Sequence, residues 1–277
     1  MDKALTYFTR RRLGWCLGTA GAVGTALLAV AALRVAFRPA ALGTGLLLYA
    51  LVVGLALFNT RKKFPFLPLT SASTWLQIHI YAGWFSVVVF FVHTGGRWPL
   101  GLFQEVLAVV FLLVAVSGVV GLFLTRWLPG RLTHSGEALT YERIPEICTE
   151  IRTRVEAVIA TAESSTGSST LGDYYLKHLS VYLNWHPGIF VPFRGPPRRY
   201  LAAVGQLAAL DRFFNVRERE VAAELGDWIE AKRNLDVQLA GQRLLKLWLF
   251  IHIPASCSLL LLGLVHGVIA LNYAGRL

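Results

Sequence analysis

Polar and charged residues thin out over five stretches of the chain, near residues 13–37, 40–59, 74–94, 102–126 and 246–272. Each is about as long as a helix needs to cross the hydrocarbon core of a bilayer, close to 20 residues. The second is short and follows Pro39, so the first two are expected to form a tight helical hairpin. Between the fourth and fifth stretches the pattern changes. "EALTYERIPEICTEIRTRVEAVIATAE" sets Leu139, Ile147, Ile151, Val155 and Val158 on one helical face. "SSTGSST" is a polar break, and "WHPGIFVPFRGPPRRY" holds too much Pro and Gly for regular structure. "REREVAAELGDWIEAKRNLD" returns to a charged helical pattern, and "VQLAGQRLLKLW" leads straight into the fifth stretch. The expected architecture is an all-α membrane protein with five transmembrane helices and a mostly helical insert. Residues 1–126 would hold helices one to four, 127–245 the insert, and 246–277 helix five.

Composition agrees with a membrane protein: 55% of the 277 residues are hydrophobic and mean hydropathy is +0.53. Charge then supplies an orientation. From Arg126 to Lys246 there are 16 basic and 14 acidic residues; the rest of the chain has 11 basic residues against only Asp2 and Glu105. The basic excess therefore flanks apolar stretches, which is a topological pattern rather than a nucleic-acid footprint, and no nucleic-acid motif accompanies it. Lys3 and Arg10 to Arg12, then Arg61, Lys62 and Lys63, outweigh Arg34, Arg38, Arg97 and Arg276 on the opposite side. The N-terminus and the insert 127–245 are thus expected in the cytoplasm and the C-terminus outside, with helices three and five running in the same direction. The first apolar stretch is long for a signal peptide and reads as a retained helix. The cysteines, Cys16, Cys148 and Cys257, are isolated and form no CxxC or CxxCH. The insert has no GxGxxG and no P-loop.

Candidate chemistry lies inside the apolar stretches. Helix three contains "HIYAGWFSVVVFFVH" and helix five "HIPASCSLLLLGLVH"; each begins and ends with histidine, fourteen residues apart. That spacing rises about 21 Å along a helix and misses four whole turns by roughly 40°, so each pair faces one side at two depths. On parallel helices His79 would sit level with His252, and His93 with His266. Two trans imidazoles at each level can ligate a haem iron, so the pattern points to two b-type haems. Gly83 and Ser86 on helix three, and Ser256 and Gly263 on helix five, would leave room on the histidine faces. Arg97 would meet propionates at the outer level; Arg61, Lys62, Lys63, Arg126 and Lys246 crowd the inner one. Zinc is disfavoured, because ligands about 21 Å apart on one helix cannot converge.

Glu105 is read as an interfacial cap, or alternatively as a group that takes a proton from quinol. His134, His178 and His186 are read as surface or turn residues of the insert. "RGPPRR" is open between a solvated loop, a headgroup patch and a docking surface.

The histidine pairs resemble the four-helix dihaem core of cytochrome b in quinol-oxidising bc complexes. "LLKLWLFIHIP" followed by "LVHGVIAL", with "LTHSGEALTYERIP", is similar to a family of bacterial membrane dihaem cytochromes b found with multihaem c-type cytochromes or flavin oxidoreductases. The resemblance covers helices three to five and parts of the insert; helices one and two carry no matching motif. The Pro-Glu-Trp-Tyr motif of the bc quinol site is not in the chain. The resemblance implies electron transfer across a bacterial inner membrane, with quinone and a redox protein (a multihaem cytochrome c, flavoprotein or iron–sulfur subunit) as partners. The rival readings are a ferric-reductase-like electron donor fed by a separate flavoprotein, and a haem-free scaffold or transporter.

Overall fold

A computed structural model describes residues 2–35, 40–57, 71–132 and 141–274. All regular structure among the described residues is helical. The helices are α1 (Asp2–Val35), α2 (Ala40–Ala56), α3 (Ala72–Thr94), α4 (Leu102–Leu132), α5 (Ile144–Thr166), α6 (Thr170–Tyr174), α7 (Ser180–Leu183), α8 (Arg198–Leu210) and α9 (Val216–Ala274). They form two compact units: Met1–Leu122 with Leu249–Leu277, and Phe123–Trp248. Among the described residues three helices carry segments long and apolar enough to cross a membrane, Ser73–Thr94, Leu102–Leu128 and Val216–Tyr273, fewer than the five expected. The described apolar runs of α1 and α2, Leu13–Leu28 and Ala41–Ala56, are shorter: sixteen helical residues rise about 24 Å, against a hydrocarbon core of about 30 Å.

The first unit is turned inside out relative to a water-soluble bundle. Val116 on α4 is 62% exposed and Leu261 on α9 67%, while Thr44, Ser86 and Ser117 are buried. Each buried hydroxyl donates to the carbonyl three residues back, Ala41, Gly83 and Val114, so none presents a bare donor to an apolar medium. The packed centre joins Val52 of α2, Phe90 of α3, Ala108 and Phe111 of α4, and Leu259 of α9. Phe90 and Phe111 stack at 4.4 Å. α3 is bounded by its sequence. Ser71 caps its N-terminus by accepting from the Thr74 N–H. Gly95, at φ +65°, ends it one residue after Thr94, in the left-handed conformation that glycine adopts without strain. His93 is thereby placed in the last turn.

The second unit has a soluble core. α5 buries Ile144, Ile151, Val155, Ile159 and Ala162; Ile147 and Val158, expected on that face, pack only partly against it. Leu139 lies outside the described residues. Gly167, at φ +67°, closes α5 within the "SSTGSST" break. α9 runs without interruption from the charged segment through Pro254 to the C-terminal apolar run. Within this unit Lys232 and Asp236 are almost fully buried and pair at 2.5 Å, and the Lys232 ammonium also donates to the Trp185 carbonyl. Burial pushes the Asp236 carboxyl up while Lys232 pulls it down; the desolvation is the larger effect.

Candidate functional site

The four histidines of the apolar helices fall into two pairs within the first unit. His93 and His266 have ring centroids 6.3 Å apart and planes 83° apart. His79 lies within electrostatic range of His252. The same order of pairing on both helices means α3 and α9 run parallel here. α3 packs along α1 and α2.

Two of the imidazoles are oriented by one repeated device. Ser117 Oγ lies 2.6 Å from His252 Nδ1 and gives its proton to the Val114 carbonyl 2.9 Å away. A hydroxyl has one proton, so with it on the Val114 carbonyl Nδ1 is the donor to Ser117. Thr44 Oγ1 stands 3.2 Å from His93 Nδ1 and donates to the Ala41 carbonyl, with the same consequence. Both rings are thus held with the proton on Nδ1 and a lone pair on Nε2, the tautomer that ligates a metal through Nε2. In each case the next residue is glycine. A Cβ at Gly45 would come 2.9 Å from His93 Cε1, and one at Gly118 3.8 Å from His252 Cε1. The hydroxyl fixes the ring and the glycine lets it approach. Sequence reasoning missed these four residues. Their signal was present as hydroxyl-glycine pairs, Thr44-Gly45 and Ser117-Gly118, inside otherwise apolar stretches.

The 6.3 Å centroid distance can be weighed. With a ring radius of about 1.1 Å, facing nitrogens would be about 4 Å apart, too far for a hydrogen bond. The same gap equals two metal–imidazole bonds of about 2 Å. Among the described residues no three of His, Cys, Asp and Glu converge; the donors that His93 and His266 bring together are two imidazoles. That set suits a metal whose other positions come from elsewhere, such as the four ring nitrogens of haem.

The remaining expected residues separate. Gly83 faces open space and Ser86 is buried behind it. Ser256 is half-buried, and its hydroxyl donates to the His252 carbonyl at 2.7 Å. Gly263 offers less room than expected, because the Tyr49 ring lies 3.1 Å from where its Cβ would be. Arg97 is exposed in the turn after α3. Lys246 is engaged elsewhere: it pairs with Glu142 at 3.3 Å and covers the Tyr141 ring. Arg61, Lys62, Lys63, Arg38, Arg276 and His134 lie outside the described residues, as does the Arg34 side chain. Glu105 is in the first turn of α4, half-buried, where its charge suits the helix dipole. Phe103, two residues before it, places its ring 6.3 Å from that of His266. His178 lies on a π-helical segment beside Tyr174, and His186 is exposed near Asp236.

Comparison with protein-family models, curated proteins and solved structures returns no match.

Proposed function

We propose that this chain is a b-type dihaem cytochrome that carries electrons across a bacterial inner membrane, between the quinone pool and a redox partner. The observation that carries the reading is the paired imidazoles at two depths, with His93 and His252 each held by Nδ1 on a hydroxyl. His79 and His252 would hold one haem, His93 and His266 the other. When bound, haem would supply a one-electron carrier held by these imidazoles. The residues of the chain do the rest. Ser117 and Thr44 set the tautomer and raise the basicity of their imidazoles. The apolar packing of Val52, Phe90, Phe111 and Leu259 keeps water from the space between the levels. The membrane-spanning helices set the two levels about 21 Å apart along the bilayer normal. In this reading helices three and five leave the cytoplasm together, the N-terminus is cytoplasmic, and α1 and α2 complete the membrane unit.

The test is haem content and its site dependence. Purified full-length protein is expected to carry two non-covalent haems per chain. His93→Ala is expected to remove one spectral component and leave the other. A chain that binds no haem when supplied with it would leave the scaffold or transporter reading. Reduction by quinol supports the quinone link; reduction only through a flavoprotein supports the ferric-reductase-like alternative.

A further inference from the structure

The second unit exposes a surface that its own core does not need. α8 turns Ala203 inward, with Tyr200, Leu207 and Leu210 partly covered. Its outward face is Leu201, Ala202, Val204, Gly205, Ala208 and Ala209, with Gln206 exposed on the flank. A helix facing water normally carries charge there. Instead Leu201 is 53% exposed and Val204 39%, and Phe190 and Phe193 stand exposed just before the helix. Arg194, Arg198 and Arg199 are exposed at the same end and have no ion-pair partner among the described residues.

A second observation says what meets this surface. Phe193 stacks on Trp127 with centroids 4.5 Å apart and planes within 7°. Trp127 belongs to the last turn of the apolar segment Leu102–Leu128, where a membrane-spanning helix leaves hydrocarbon and an indole sits at headgroup level. The stack therefore ties the Phe190–Arg199 loop to the end of that apolar segment, the depth at which the indole would meet headgroups. Apolar side chains with arginines around them, at that depth, match an anionic lipid surface.

We infer that the Phe190–Arg199 loop and the outward face of α8 form a lipid-docking surface, with Arg194, Arg198 and Arg199 on anionic headgroup phosphates and Leu201 and Val204 in the acyl boundary. The inference rests on the membrane part of the proposed function, not on haem. It makes the insert a peripheral membrane element in its own right.

The test uses the full chain, with Cys16→Ser, Cys148→Ala and Cys257→Ala, in nanodiscs of phosphatidylcholine with or without phosphatidylglycerol. A spin label at Val204→Cys is compared with one at Ser164→Cys, an exposed position at the end of α5. In anionic discs the Val204 label is expected to collide more with oxygen than with a water-soluble nickel chelate, and the Ser164 label the reverse. Combined Arg194→Gln, Arg198→Gln and Arg199→Gln is expected to raise nickel access at Val204 severalfold, as is removal of the anionic lipid. Leu201→Cys repeats the measurement should Val204→Cys misfold. A Val204 label as wet as Ser164 in anionic discs overturns the inference, as does one shielded only in native membranes, which would mean a protein partner. Immersion indifferent to both arginines and lipid charge overturns the headgroup assignment. Failure of the chain to enter discs at all overturns the membrane reading instead.

Discussion

Ser117→Ala is the sharpest probe of the histidine site. It removes one oxygen and leaves a methyl in an apolar helix that tolerates it. The lost contact is the 2.6 Å hydrogen bond from His252 Nδ1, short enough to be among the stronger ones in the membrane unit. Losing the acceptor for a buried donor costs about 1–3 kcal/mol, and each 1.4 kcal/mol is about tenfold. Under the proposed dihaem reading, the inner haem is therefore expected to leave roughly 5–150 times faster, a range that spans the usual 10–100-fold effect of outer-shell partners. Transfer of haem to excess apomyoglobin measures that rate, and redox potentiometry on the same sample reads the inner centre. Loss of the Ser117 oxygen lowers the basicity of the imidazole, which disfavours the ferric state, so the inner potential is expected to rise. The outer haem should keep its rate and potential. Ser117→Thr, which retains a hydroxyl able to donate to the Val114 carbonyl, is expected to restore both readings. An alanine variant with two haems, unchanged transfer rate and unchanged inner potential would refute the orienting role of Ser117.

Gly45→Ala is expected to abolish the outer haem spectrum selectively, since its Cβ would lie 2.9 Å from His93 Cε1; Gly118→Ala, at 3.8 Å from His252, should be tolerated, and equal spectra from the two variants would contradict this. In the insert, Tyr174 donates to the Ala203 carbonyl at 2.9 Å, whereas the buried Tyr182 hydroxyl has no partner among the described residues. Tyr174→Phe is expected to destabilise the insert by about 1–2 kcal/mol, and Tyr182→Phe to leave it unchanged or firmer, as read by hydrogen exchange of the insert helices. Partial burial and the hydrogen bond to Glu156 push the Tyr175 phenol up to about 12, and burial drives Tyr174 and Tyr182 up as well. Because the unfolded phenols ionise near pH 10, stability is complete below that pH and falls as pH rises toward the folded values; insert unfolding should track tyrosinate absorbance, and ionisation of all nine tyrosines without unfolding would contradict it.

What the sequence made legible, and what it did not, divides along physical lines. Helical periodicity located the α5 stripe through Ile151 and Val155, because a soluble helix must bury one face and its pattern says which. Val158, expected on that face, packs against the core only partly while its neighbour Ile159 is buried, since neighbouring positions on a helix differ by about 100° and only packing chooses between them. Within the membrane unit the same logic gives less. Lipid is as apolar as the core, so Val116 and Phe111 look alike in sequence although one faces out and the other in. Histidines were legible because each is costly in lipid and calls for a partner. Thr44 and Ser117 were not, because a hydroxyl that donates to its own helix backbone costs little in a membrane and needs no further reason to be there. Their meaning depends on contact with His93, 49 residues away, and with His252, 135 residues away. A residue that works by holding another is visible only when the fold has brought the two together. For that reason the glycine after each hydroxyl is the better sequence clue. A hydroxyl-glycine pair in an apolar helix asks what large side chain approaches there, and in this chain the answer both times is imidazole.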